Sequence, residues 1–266
     1  MTDADKVYRD IQAIRDNKPL VLNITNYVVT NSTANALLAL GASPIMSHAE
    51  EEMAELVAIS SALVINLGTV AQEYLAAMEP AWAAADATGV PVILDPVGAG
   101  ASTVRTATPL ALLARHKPFI IRGNASEIMT LAGEAGGGKG VDSTSGADAA
   151  IQAGRALRRK HGGAVVVSGE SDIVCTEGFR VRVLGGSELM PRVTGLGCTA
   201  SALCGAFAAV NKDPFEAALH ATVTMKIAGE MAAAKASGPG TLQLYFYDAL
   251  YAMTAEDVAN HIKVKR

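Results

Sequence analysis

The stretch from Met190 to Ala202 sets two glycines, Gly195 and Gly197, on either side of Leu196 and ahead of a run of small apolar residues, Cys198 to Val210. A glycine bend that feeds a helix leaves the first backbone N–H groups without intrahelical acceptors. Together with the helix dipole, those groups suit a phosphate or a developing negative charge. Thr194, Thr199 and Ser201 could cap or hydrogen-bond there. The plainer alternative is a tight turn into a buried helix with a capping threonine. Cys198 falls in the first turn, where a thiolate is stabilised and the pKa is expected to drop below its free value of about 8.5. A thiol of that kind could take a proton from a substrate hydroxyl. Cys175 and Cys204 read as small buried hydrophobes.

Three further residues carry charge next to glycine or amide groups. Asp95 ends an apolar run and precedes Pro96, Gly98 and Gly100, while Glu127 follows Asn124 by three residues. Together the two acids suit a hydrated Mg²⁺, which takes carboxylates, waters and substrate phosphates. Taken singly, one reads equally as a turn acid and the other as an acid at a helix start. Arg122 suits a nucleotide phosphate, because its planar fork binds two oxygens; its alternative is an ordinary surface arginine. Asn23, Thr25, Asn26, Thr30, Asn31 and Asn35 lie close together beside apolar residues, either as caps and turns or as a pocket lining. The glycine-rich run 136–140 lacks the spacing of a phosphate loop and follows a helix, so it reads as a flexible surface loop.

The rest of the chain bounds these readings. It has 266 residues, half of them hydrophobic, with 5% aromatic and 18% charged, which is ample for a sizeable core. A net charge of -4 offers no basic face to nucleic acid or to anionic membranes. No apolar run approaches the roughly 18–20 residues needed to span a bilayer, and the charged, helical start shows no secretory signal. Three cysteines without CxxC spacing fit a reducing compartment, and five scattered histidines do not suggest a metal site. The expectation is a cytoplasmic protein.

Apolar runs at 20–24, 44–47, 62–68, 90–95, 119–124 and 164–169 read as strands. Helical segments at 4–17, from His48, 70–87, 103–115, 125–131 and 145–160 alternate with them, and the run 24–43 passes from the first strand through polar residues into a helix closed by Gly41. Pro109 is expected near a break or start of its helix. Residues 172–178 and 179–184 suggest an antiparallel hairpin turning at Glu177-Gly178, and helices follow at 213–236 and 241–253. Continuous apolar strands alternating with helices argue for a parallel sheet covered on both faces. With no linker or repeat, residues 1–266 read as one domain, a three-layer α/β/α sandwich. Ligands of such sheets bind beyond the carboxyl ends of the strands. Asn23, Asn26, Met46, Asn66, Gly68, Asp95, Arg122, Asn124 and Ser168 all fall at those ends.

The runs ITNYVVTNSTANALLALGASPIM, LVINLGTV, PVILDPVGAGAS, IIRGNASEI, VVSGESDIV and VTGLGCTASALCGAFAAV, with GPGTLQ further on, resemble the hydroxyethylthiazole kinase family. They span about residues 20–243 and are far more specific together than any glycine loop. The resemblance implies a ribokinase-like fold without a separate lid domain. It implies ATP- and Mg²⁺-dependent phosphorylation of the primary alcohol of 4-methyl-5-(2-hydroxyethyl)thiazole in thiamine biosynthesis or salvage. It also implies a homotrimer with active sites between subunits. By position, Asn26, Val28, Met46, Gly68 and Gly195 would contact the thiazole. Arg122, Ser168, Gly197 and again Asn26 would serve ATP, and Asp95 and Glu127 the metal. Cys198 occupies the place where related sugar kinases carry a catalytic aspartate, which makes it the candidate base.

Two rival readings stay open at this point. A kinase of another small alcohol, such as a hydroxymethylpyrimidine, would share the scaffold. A non-catalytic nucleotide- or vitamin-binding regulator would not need Asp95, Glu127, Arg122 and Cys198 together. A nicotinamide-linked dehydrogenase is disfavoured because no strand is followed by GxGxxG.

Overall fold

The computed structural model describes residues 3–134, 144–176, 178 and 180–266. The glycine-rich run 136–140 and the hairpin residue Glu177 lie outside the described residues. Nine strands form one sheet in the order β2-β1-β3-β4-β5-β6-β7-β8-β9. They are β1 (Leu20–Ile24), β2 (Ser43–Met46), β3 (Ala62–Asn66), β4 (Val92–Asp95), β5 (Ile120–Asn124), β6 (Ala164–Ser168), β7 (Asp172–Cys175), β8 (Arg180–Val183) and β9 (Val264–Lys265). The first six run parallel, and the last three add antiparallel at one edge.

Eleven α-helices are seen among the described residues. On one face lie α1 (Asp3–Asn17), α2 (Thr30–Leu40), α8 (Leu196–Val210), α9 (Pro214–Ala233), α10 (Pro239–Ala252) and α11 (Ala255–His261). On the other lie α3 (Met53–Ile59), α4 (Gln72–Thr88), α5 (Thr103–Arg115), α6 (Ala125–Leu131) and α7 (Thr144–His161). Alternate strand residues feed the two cores, since successive side chains point to opposite faces. Val21, Val64 and Ile93 join the first, and Leu22, Ile65 and Leu94 the second. Both faces are therefore apolar, which is why the strands read as unbroken hydrophobic runs. The expected three-layer α/β/α architecture is the observed one.

Local sequence explains the elements nearest the strand ends. Gly41 ends α2 in a left-handed conformation and returns its N–H to Leu37. Asn124 and Glu127 form a reciprocal capping box at the start of α6. Gly205 lets α8 lie on the sheet, because a Cβ there would stand 2.9 Å from Val64 and 3.0 Å from Val21. Pro109 neither breaks nor starts its helix: it sits buried inside α5, which runs through it.

The His48 segment opens as a 3₁₀ turn, Glu50–Glu52, before α3. α11 and β9 were not anticipated, being a seven-residue helix and a two-residue strand. Arg266 next to β9 donates to both carboxylate oxygens of Asp3 at 2.9 Å, joining the two ends of the chain. No helix among the described residues is long and apolar enough to cross a membrane.

Candidate active site

Parallel register sets Asn66 beside Asp95 at the carboxyl ends of β3 and β4. Asn66 Nδ2 donates to Asp95 Oδ2 at 2.7 Å, and the Ser201 hydroxyl of α8 donates to the same oxygen at 2.7 Å. Asn66 Oδ1 accepts from the Gly68 amide at 2.8 Å and from Asn26 Nδ2 at 3.3 Å. Asn26 Nδ2 in turn donates to Cys198 Sγ at 3.2 Å. One hydrogen-bonded chain thus runs from Ser201 and Asp95 through Asn66 and Asn26 to the thiol. Gly68 is part of it by necessity, since a Cβ there would lie 2.4 Å from Asn26 Nδ2.

The glycine bend adjoins this chain. Gly195 is the N-cap of α8 at φ +84°, a conformation that favours glycine, and a Cβ there would meet Val29 at 2.4 Å. The first helical bond is Thr199 N to Gly195 O at 2.8 Å, so the amides of Leu196, Gly197 and Cys198 precede any intrahelical acceptor. No threonine caps the helix, contrary to the plainer alternative: the Thr199 hydroxyl pairs with Thr33, and Ser201 serves Asp95. Arg122, from β5, reaches the bend with Nη1 donating to Gly197 O at 2.9 Å.

Arg122, Ser168, Gly195 and Gly197 line a cleft of about 1340 Å³ that continues past Lys226 and Met190. That volume exceeds what a small alcohol fills and admits a nucleotide. Ser168 Oγ, at the end of β6, donates to Gly123 O at 3.2 Å. Asn26, Met46, Gly68 and Asp95 are not on the cleft wall. Asn26 and Asp95 are buried behind the bend, and Met46 is half-buried at the end of β2. Val28 stands apart, 60% exposed beside Tyr27 at 69%.

Two acids lie close to this network. Glu127 Oε1 accepts from the Gly98 amide and Oε2 from the Asn124 amide, both at 2.8 Å. Burial raises the Asp95 pKa to about 6, with Glu127 adding to the rise while Arg122, Ser201 and Asn66 oppose it. No group of three His, Cys, Asp or Glu side chains able to hold a metal occurs among the described residues. Two carboxylates with only oxygen donors are what Mg²⁺ uses when waters and substrate phosphates complete its shell, so the residues fit it. Glu127, which is half-buried, is the one within reach of solvent, whereas Asp95 is 1% exposed.

The expectation of an acidic thiol is overturned. Burial, with the charge of Asp95 behind it, pushes Cys198 up to about 11, and the hydrogen bond from Asn26 and the charge of Arg122 do not offset this. The residue is a neutral thiol at ordinary pH. Cys175 and Cys204 are buried as expected.

Sequence reasoning missed Lys226 and Arg105. Lys226 is a lone cation in the buried stretch of α9, and that isolation was the available signal. Arg105 donates to the carbonyls of Leu67, Val97 and Gly68, clamping two of the loops that carry the site, and nothing in its local sequence announces it.

A profile of the Hydroxyethylthiazole kinase family matches residues 11–256. The chain is 53% identical, over all of both chains, to a hydroxyethylthiazole kinase of Nitratidesulfovibrio vulgaris (strain DSM 19637 / Miyazaki F). It is 50% identical to one of Leptospira biflexa over 96% of each chain. Among solved structures, a hydroxyethylthiazole kinase protein from Pyrococcus horikoshii OT3 superposes with a TM-score of 0.90 at 40% identity, covering 97% of this chain and 98% of that one. The pyridoxal kinase of Staphylococcus aureus in complex with AMP-PCP and pyridoxal gives 0.67 at 16% identity, over 93% and 98%. That second likeness speaks for the ribokinase-like fold alone.

Proposed function

The chain belongs to the hydroxyethylthiazole kinase family, and from that premise we infer how it phosphorylates the hydroxyl of the thiazole alcohol with ATP in thiamine biosynthesis. One observation carries the reading: the Arg122 guanidinium is bonded to Gly197 O at the glycine bend that lines a nucleotide-sized cleft, and the same first turn of α8 carries the Cys198 thiol, held by Asn26.

ATP lies in the cleft, with Ser168, Gly197 and Arg122 meeting its phosphates and Asn26 close to the transferred group. The alcohol lies on the other side of the bend, against Asn26, Val28, Met46, Gly68 and Gly195. Its oxygen bonds to the γ-phosphorus while the bond from that phosphorus to the bridging β,γ-oxygen breaks, releasing ADP, and the hydroxyl proton leaves to a phosphoryl oxygen and then to water. The amides of residues 196–198 and Arg122 face the oxygens on which charge is concentrated. Fixed donors of this kind supply most of the catalysis in phosphoryl transfer. Cys198, as a thiol, orients the hydroxyl and is not its base.

Glu127 would hold Mg²⁺, with Asp95 adding negative charge from behind. When bound, the ion would neutralise the β- and γ-phosphate oxygens. Exposed Val28 and Tyr27 support a thiazole pocket finished by a neighbouring copy in a homotrimer, since large apolar side chains at a binding site seldom stay in water.

An ADP-release assay with and without hydroxyethylthiazole tests this reading. ADP formation that requires the thiazole is expected. ATP consumption with a hydroxymethylpyrimidine but not with the thiazole would move the substrate to the rival alcohol.

A further inference from the structure

Lys226 is 8% exposed within a largely buried helix, yet it lines the cleft, one turn from Glu230. Its Nζ donates to Gly169 O at 3.2 Å and to Glu170 O at 3.1 Å, and lies 3.3 Å from Asp172 Oδ1. Two of the ammonium's N–H groups are thus given to carbonyls, and its charge is paired with the Asp172 carboxylate. Each acceptor belongs to one short turn, residues 168–172, which joins the last parallel strand to the antiparallel edge and begins at Ser168. The same Asp172 oxygen accepts the Gly169 amide at 2.9 Å, closing the turn on itself.

The stem of the side chain is equally constrained. A Cβ on Gly186 would stand 3.1 Å from Lys226 Cδ and 3.0 Å from Met190 Sδ, so the stem runs tightly beneath the turn at Gly185 and Gly186. Met190 also packs on Gly229 of α9, where a Cβ would meet its sulfur at 2.3 Å. Lys226 therefore stands where three segments of the cleft wall meet: the 168–172 turn, the Gly185–Gly186 turn and the Met190 segment. Without its ammonium, two carbonyl dipoles and the buried Asp172 carboxylate would face one another at a partly buried turn. Leaving such groups unpaired is costly. The turn would open, and Ser168 would move with it.

We propose that Lys226 is a positioning residue for nucleotide binding, holding the 168–172 turn in the shape that presents Ser168 to ATP. The inference rests on the nucleotide occupying this cleft. Its location, away from Asn26, Gly68 and Asp95, makes the effect specific to one substrate.

The test is K226M, which keeps most of the stem and removes the charge. Calorimetric titration with ATP and Mg²⁺, the two KM values and a thermal melt are compared with wild type. The expected result is a Kd and KM for ATP raised about tenfold or more, the change that losing a charged buried hydrogen bond brings, with the KM for thiazole within twofold. An unchanged ATP affinity overturns the proposal, and so does a parallel rise of both KM values. Should K226M fold poorly, K226A leaves room for methylammonium. Recovery of ATP binding in its presence supports the tether, and no recovery at saturating amine overturns it. A wild-type protein that binds no ATP would remove the kinase reading itself, whereas normal wild-type binding with an unaffected variant removes only the role of Lys226.

Discussion

Arg122 donates from Nη1 to the carbonyl oxygen of Gly197 at 2.9 Å, across the boundary between β5 and the first turn of α8. The same nitrogen would stand 3.2 Å from a Cβ on Gly197. The guanidinium is thus fixed by the bend whose amides it assists, and the two act as one anion cradle. Arg122→Met should lower kcat by about 10²-fold or more, the cost of losing one preorganised donor to the developing charge. Steady-state kinetics at saturating ATP check this, and a variant within threefold of wild type would dismiss Arg122 from the cradle.

Gly68→Ala asks whether Asn26 must approach the loop so closely. A methyl group 2.4 Å from Nδ2 has to displace a buried amide that bonds both Asn66 and Cys198. The expected outcome is a KM for thiazole raised tenfold or more with that for ATP nearly unchanged, and about 1–3 kcal/mol of lost stability from overpacking. Equal losses for both substrates would mean that Gly68 serves only the fold.

The pH dependence of kcat/KM should follow Asp95 and not the thiol. Burial raises Asp95 to about 6, so its charge is present above that pH and disappears as pH falls through it. Cys198, pushed up to about 11, stays protonated across the range. The profile should fall on the acid side near pH 6 and show no thiol inflection between 7 and 9, and Cys198→Ser should retain both features. A limb near pH 8 that vanishes in Cys198→Ser would restore the thiolate as base.

Far from the site, Asp10 accepts from His220 Nδ1 and from Asn211 Nδ2, both at 2.6 Å, between α1 and α9. Burial alone would raise the Asp10 pKa, but the hydrogen bonds from His220 and Asn211, with the His220 charge, outweigh it and the net shift is downward. A lowered carboxylate contributes stability above its unfolded pKa and loses it as pH falls through the folded value. Wild type should exceed Asp10→Asn by about 3 kcal/mol at pH 7, and the gap should close below pH 4. Denaturant titrations at several pH values measure it, and a gap that persists in acid would contradict the assignment.

Leu38 on α2 and Leu244 and Tyr251 on α10 are exposed, as are Tyr27 and Val28. Leu38→Glu should break the proposed trimer and reduce thiazole turnover more than ATP binding. Sedimentation decides: a wild-type monomer would sink the shared-pocket reading.

The parallel strands were legible because burial on both faces leaves an unbroken apolar signature, as in Ala62–Asn66 and Ala164–Ser168. The place of Glu127 at a helix start was legible too, from its spacing to Asn124, although the reciprocal capping box the two form was not read. What stayed hidden is long-range. Ser201 meets Asp95 across 106 positions, and no spacing rule reports that. The thiol expectation failed for the same reason. A helix start is a local feature that lowers a pKa, while the burial and the carboxylate that raise it come from elsewhere in the chain. Pro109 misled because a buried helix held by its neighbours can absorb one missing amide bond. Lys226 was overlooked because a single cation within an apolar helix carries no motif.

The contact between Arg266 and Asp3 has a practical corollary. Because the start of α1 and the residue after β9 meet at a 2.9 Å ion pair, a linker of a few residues could join them, and new ends could be cut in a surface loop away from the cleft. Such circular permutants should fold to the same sheet, giving freedom to graft the enzyme into other scaffolds without touching either substrate site.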